Sequence, residues 1–432
     1  MALAAAKSDA LSARIAGLSL RPGGWLGAAR AEALVRLTAM GLPGRRDEYW
    51  RFTDPTALNA PEAAVSAPSD NQGEPALFDG IDRLKLVFVD GVFDAAASDD
   101  LSLAGVEIDL LPEAGCTDIH WAQGLYGVLE AQGQSPVPRP LAALNSAFAT
   151  AGVLLRVTAR VSRPIELIYR HISDTSDVNL HHCIKIEPGA GLTLLESGSA
   201  AARCNAVIEV EVADAGRMHH VRALGRDPAR RAVTHVFARL AAESRFKSFT
   251  LTANGQLTRN EVVIDLAGDD AVAHVAGAAM GDGEFHQDDT VFVTHSALRG
   301  ESRQVFKKVL KNGAVGVFQG KILVRPGAQK TDGYQISQAL LLDGDSQFLA
   351  KPELEIHADD VKCSHGSTTG AIDEETLFYL RSRGVPLKTA QSLLVLAFLA
   401  AAIAEIDDAA IADAIRARLE SWLTRHDGAD GR

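Results

Sequence analysis

Between Val153 and Val361 the chain is β-branched alternation cut by Gly, Asp and Asn turns, and a degenerate repeat runs through it. IKIEPGAGLTLLE, VEVADAGRMHHVRAL, FARLAAESRFKSFTL and IDLAGDDAVAHVAG share one outline: a short strand, a small or acidic turn, a second strand. Aligning Glu187, Ala213, Ala241 and Ala267 gives spacings of 26, 28 and 26 residues, with a looser copy at Ser296. A period of this size marks stacked units that bury a shared core. One such unit is long enough for a single coil of a β-helix with two or three short strands. The competing arrangement is a β-sandwich, in which turns also recur every 8 to 12 residues or so. Pairing separates the two. A β-helix puts the four aligned residues in register on parallel neighbouring strands, with Val212, Leu240 and Leu266 as an inward ladder.

The flanks read differently. Residues 1 to about 42 are Ala- and Leu-rich with helical spacing, and Trp25, Leu26, Ala29, Ala33, Leu34 and Leu37 form one apolar face. RRDEYWRFTDP (45–55) ends in a proline stop, and 60–75 is a Pro-, Ser- and Asp-rich surface linker. LKLVFVDGVFD offers a hairpin with Asp90-Gly91 at its turn. Residues 110–150 return to a helical pattern broken by Pro136 and Pro138. This predicts a helical N-terminal region and linker (1–75), a mixed connecting region (76–150), a β-helix core (151–370) and a helical C-terminal domain (371–432).

That last boundary falls inside EIHADDVKCSHGSTTGAIDEETLFYLRSRG, which starts as a strand and ends as a helix. Cys363 and His365 lie two apart, so on a strand they share a face. A thiolate beside an imidazole suits iron, copper or zinc, although a closed site needs about four ligands. A buried thiol next to a hydrogen-bonded imidazole is the commoner meaning of the pair. Asp373 suits an N-cap, Glu374 and Glu375 the positive helix end, and Gly384 the C′ position. Pro386 then suits N1 of a new helix, PLKTAQSLLVLAFLAAAIAEI, which is apolar around most of its circumference, so both faces should be covered. Asp407-Asp408 divide it from a final amphipathic helix.

Other candidates are weak. The adjacent pairs His181-His182 and His219-His220 would face both ways on a strand and read as surface or stacking histidines. Asp269-Asp270, Asp288-Asp289 and Asp359-Asp360 read as turn residues. Neither a phosphate-binding loop, a dinucleotide fingerprint nor G-x-S-x-G occurs, which argues against nucleotide chemistry and serine hydrolysis. A net charge of −12 argues against nucleic acid as the main partner. Four scattered cysteines (116, 183, 204, 363) follow no disulfide framework and point to the cytoplasm. The N-terminus lacks a basic stretch followed by an apolar core, so no secretion signal is expected. The longest apolar run, 393–404, is too short for a membrane span.

SRQVFKKVLKNGAVGVFQGKILVRPGAQKTDGYQISQALLL and KPELEIHADDVKCSHGSTTGAIDEETLFYLRSRGV resemble the SufB/SufD family of iron–sulfur cluster assembly proteins. The resemblance is specific over about 302–385 and weaker upstream. RDEYWRFTDP, LVFVDGVFD and the chain length are closer to SufD-like than to SufB-like members. The resemblance implies a right-handed parallel β-helix flanked by helical N- and C-terminal regions. It implies a non-catalytic scaffold that pairs with a SufB-like subunit and docks a SufC-like ABC ATPase on its C-terminal helices. An iron–sulfur cluster would be built at the subunit interface, with Cys363 and His365 as this chain's ligands. The partner's sulfur-accepting cysteine would lie in the segment equivalent to KTDGYQISQALLL, which has no cysteine here, in favour of the SufD-like assignment. Homodimer formation in isolation and flavin binding stay open at this point. So do two alternatives, a SufB-type cluster-binding scaffold and a β-helix carbohydrate-active enzyme.

Overall fold

The computed structural model describes residues 2–20, 23–69 and 76–429; positions 70–75 of the expected linker lie outside that range. The chain opens with helices α1 (Ala2–Ile15), α2 (Gly24–Met40) and α3 (Thr56–Asn59) and the hairpin β1 (Leu84–Val89) and β2 (Val92–Phe93). Val89 pairs antiparallel with Val92. The two residues between them, Asp90 (φ 44°) and Gly91 (φ 77°), are both left-handed, as the tight hairpin turn requires. Strand β3 (Val106–Leu110) and helices α4 (Leu111–Ala114), α5 (Val128–Gln132) and α6 (Pro140–Phe148) complete the approach to the core.

The core is a parallel β-helix of two facing sheets. One sheet stacks β4 (Val153–Val157), β6 (Asp177–Ile186), β8 (Arg203–Val212), β10 (Arg231–Leu240), β12 (Leu257–Leu266), β14 (His286–His295), β16 (Val315–Val324) and β18 (Gln347–Ile356). The other stacks β5 (Ile165–Arg170), β7 (Gly191–Gly198), β9 (Arg217–Leu224), β11 (Arg245–Ala253), β13 (Val272–Asp282), β15 (Glu301–Lys311), β17 (Asp332–Leu341) and β19 (Lys362–Gly370). The chain alternates between the sheets, so each coil is one strand from each, and every stacked pair runs parallel. The aligned repeat is in register: Ile186, Val212, Leu240, Leu266 and His295 pair in succession, directly before Glu187, Ala213, Ala241, Ala267 and Ser296. Val212, Leu240 and Leu266 are buried, as the inward ladder demands.

A second ladder explains why the turns look alike. Gly189, Ala215, Glu243, Asp270, Arg299 and Lys330 all take positive φ at one corner of successive coils. Each N–H donates to a carbonyl of the next coil, at Asp214, Ala242, Asp269, Leu298, Gln329 and Asp360. A left-handed corner residue costs non-glycine side chains about 1–2 kcal/mol, and the inter-coil bond offsets part of that.

Both sheets are coated. On the β4–β18 sheet lie α2 and α6, with Leu37, Leu141 and Leu144 packed on Val233 and Leu257. The β5–β19 sheet carries the C-terminal helices α8 (Leu387–Ile403) and α9 (Ala409–Ala429), with Val395, Leu399 and Ile403 packed near Leu251, Ala276 and Val305. Preceding these, α7 (Glu374–Ser382) is capped by Asp373 Oδ1, which accepts from the Thr376 N–H at 2.7 Å, and Gly384 (φ 86°) follows its end. Pro386 is the N-cap of α8 rather than its first residue.

The coats overturn three expectations. His181 and His182 are fully buried and His220 is 1% exposed, against the surface reading though His181 does stack, on Tyr126, because each strand there faces the lumen on one side and packed elements on the other. Asp288 and Asp289 are not turn residues but sit inside β14, buried against Arg259 and Lys308. And α8 is not covered on all faces: it packs on β13 and β15 and against α7 and α9, while Leu387 and Leu393 remain exposed.

Candidate functional site

The two ends of the β-helix differ. At the start, β2 and β3 pair antiparallel with the first strands and close both sheets. At the other end β18 and β19 are the terminal strands of their sheets, ten and nine residues long, each with an unpaired edge among the described residues. Long open edges are sites for strand addition.

Cys363 and His365 lie on β19, in register with Gly333 and Gln335 of β17. Cys363 is half-buried against Ile322 and Gly333; a Cβ at Gly333 would come within 3.2 Å of the Cys363 Sγ, so the coil beneath leaves room for the sulfur. His365 is exposed. Burial pushes the Cys363 thiol up, the Gly333 N–H opposes this and Asp332 adds to it. A metal must therefore displace a proton to gain the thiolate. Beneath His365, Gln335 and then Gln304 continue the same column into the lumen. Both are fully buried, and neither amide has a hydrogen-bond partner at its nitrogen or oxygen.

The RRDEYW segment fastens the outer face of this end. Lys351 on β18 reaches Glu48 at 2.6 Å and lies 3.9 Å over the Tyr49 ring, while the Tyr49 hydroxyl donates to Glu353. Lys321 meets Glu355 at 2.6 Å, and Glu355 also meets His357 at 3.0 Å. These contacts leave the strand edges uncovered.

Among the described residues, one group of three potential ligands comes close enough to share a metal, and it lies elsewhere: His181, Cys183 and Glu209. Sequence reasoning did not find it, since Glu209 is one coil away. Its chemistry is already satisfied. The Glu209 carboxylate accepts from the N–H groups of Gly127, Leu129 (2.7 Å) and Glu130 (3.1 Å) at the start of α5, and from His181 Nε2 at 2.8 Å. The His181 ring stacks on Tyr126 at 4.0 Å. Burial and the Glu209 charge keep the Cys183 thiol protonated. This cluster ties the helical coat to the coils. The pair at the open end, by contrast, needs ligands from outside the chain to close a metal site.

The architecture defines a parallel β-helix protein with helical coats, one closed end and one open end. The chain belongs to the SUF system FeS cluster assembly family, whose SufBD core domain matches residues 170–398. It is 28% identical to the iron–sulfur cluster assembly protein SufD of Escherichia coli K12, over 90% of this chain and 91% of that protein. It is 27% identical to SufD of Bacillus subtilis, over 62% of this chain and 63% of that one. An iron–sulfur cluster assembly SufBD family protein of Synechocystis is 26% identical over 85% of each. The chain is a SufD-like member of the family with a role in iron–sulfur cluster assembly. No described helix is long and apolar enough to cross a membrane.

Proposed function

We propose that this chain is a scaffold subunit that completes its site by pairing its open end with a SufB-like chain. One observation carries the reading: Cys363 and His365 stand on the last strand of the β-helix, whose edge is unpaired. Strand addition there would bring a partner's ligands beside the thiol and imidazole. The nascent cluster is cargo, held jointly and released, and this chain supplies two of its ligands. Half-burial of Cys363 protects the thiol in the free chain, and the exposed His365 remains accessible to incoming metal. The missing cysteine on β17 fits a division of labour in which the partner receives sulfur.

The C-terminal domain, 371–432, is the docking platform for a SufC-like ATPase, which supplies the ATPase activity. Phe378 and Tyr379 on α7 and Leu387 and Leu393 on α8 are exposed, four of the thirteen exposed large apolar side chains among the described residues gathered within sixteen positions. Residues 76–150 close the start of the 151–370 core, and the region 1–75, as far as it is described, coats it as far as the last coil, where Glu48 and Tyr49 meet β18. This division of labour would operate in the cytoplasm.

Hydrogen exchange tests the pairing. The outward amides of β18 and β19 exchange quickly in dilute isolated chain and become protected when a SufB-like subunit is added. Protection confined to other surfaces would rule the open-end interface out.

A further inference from the structure

The lumen beneath the open end carries one column of idle hydrogen-bonding groups. Strand alternation turns Cys363, His365 and Ser367 of β19 to the same side, and pairing sets Gly333, Gln335 and Ser337 of β17 directly below them. One coil deeper, Gln304 of β15 lies in register with Gln335. The neighbouring columns are bonded from coil to coil: Ser337 Oγ donates to Ser367 Oγ at 3.1 Å, and Gln338 Nε2 donates to the Thr368 hydroxyl at 3.0 Å. Gln304 and Gln335 have neither such a bond nor solvent. Both are 0% exposed, and each amide is unpartnered at nitrogen and oxygen alike among the described residues. Stacked glutamines on parallel strands can join their amides into a ladder, and a fully buried amide is seldom left unbonded.

The opposite wall explains why the lumen offers these amides nothing. The Gln335 amide reaches across to Gly320 of β16: a Cβ there would fall 2.1 Å from Gln335 Nε2 and 2.8 Å from the Phe318 ring, so the glycine makes the room. Phe318 and Ile322 flank Gly320 on that face, and Pro352 and Leu354 of β18 pair above Gly320 and Ile322. None of these side chains donates or accepts a hydrogen bond. The next coil up places His365 over Gln335, with Cys363 beside it.

We infer that Gln335 is a third binding residue for the nascent cluster, its amide N–H donating to a sulfide of the cargo that Cys363 and His365 hold, with the Gln304 N–H behind it donating to the Gln335 carbonyl. The inference rests on the open-end reading proposed above and adds to it an acceptor for a donor that the apolar wall leaves idle. Two amides in line polarise each other, which strengthens the outermost bond. A hydrogen bond to a cluster sulfur stabilises the reduced, more negatively charged state, and so raises the reduction potential.

The test uses the complex co-expressed with SufB-like and SufC-like partners and purified without oxygen, with the isolated chain as reference. Gln335→Met keeps the side chain's length and removes its polar atoms. In the isolated chain the variant should be at least as stable as native in urea. In the complex, iron and sulfide should fall severalfold, and the cluster that remains should titrate at a more negative potential than native. Gln304→Met, one strand spacing of about 4.8 Å deeper, should shift the potential the same way by less. Native iron content and native potential in Gln335→Met, alongside a Cys363→Ala complex that loses its iron, would overturn this inference and leave the open-end reading standing. Full iron in both Cys363→Ala and His365→Ala would overturn the two together. A Gln335→Met chain less stable than native would assign the amide to a buried water and overturn the inference as well.

Discussion

Gln335 pairs with His365 across the β17–β19 ladder, and its amide is buried with no partner at either end directly beneath that exposed imidazole. An orphaned buried amide costs about 1–3 kcal/mol. Gln335→Met keeps the length of the side chain and removes the polar atoms. The isolated chain should become more stable by about 1 kcal/mol in urea unfolding, while cluster assembly with the partner falls. A destabilised variant would mean that the amide has a partner in solution.

Glu209 anchors the helical coat. Glu209→Ala would leave the Gly127, Leu129 and Glu130 N–H groups and His181 without their acceptor. The loss should be about 3 kcal/mol or more. Hydrogen exchange should show α5 and α6 opening before the coils do.

Buried histidines set the acid sensitivity. Burial holds His182, His235 and His295 down to about 4. Each is neutral when folded but takes up a proton near pH 6.5 when unfolded. Their contribution is therefore complete above pH 6.5 and is lost as pH falls from there through 4. His235 has no hydrogen bond at either ring nitrogen and stacks on Phe237. His235→Phe should flatten the pH dependence of stability between 6.5 and 5 by about 1.4 kcal/mol per pH unit. Urea midpoints at three pH values measure it.

The exposed stripe of α8 should matter for docking and not for folding. Leu393→Asp changes a side chain that is 48% exposed, so the melting temperature should hold within a degree or two. Affinity for a SufC-like ATPase should fall at least about tenfold, as for an apolar anchor at an interface centre. Surface-plasmon binding of the ATPase to native and variant chains distinguishes the two.

Much of this fold is legible in the sequence because a β-helix repeats its constraints. Each coil needs the same corner and the same inward residue, so Ala213, Ala241 and Ala267 recur at nearly fixed spacing. The helix caps at Asp373 and Gly384 are equally local and equally readable. What the chain hides is set by its coats. His181, His182, Asp288 and Asp289 look like surface or turn residues until helices and loops cover the strands that carry them. The open strand edge is a property of pairing, not of residue type. Gln304 and Gln335 could have been found, since they occupy one position of successive coils.

The most direct measurement concerns the ligand pair itself. Native chain, Cys363→Ala and His365→Ala are each co-expressed with SufB-like and SufC-like partners, and iron and acid-labile sulfide are counted per purified complex. All three chains should fold and form the complex with similar yield, because His365 is exposed and Cys363 is only half-buried at the last coil. Both variants should lose most of the iron and sulfide, His365→Ala at least as severely as Cys363→Ala. Native loading in both variants, within an intact complex, would contradict the assignment of this open end as the place where the cluster is held.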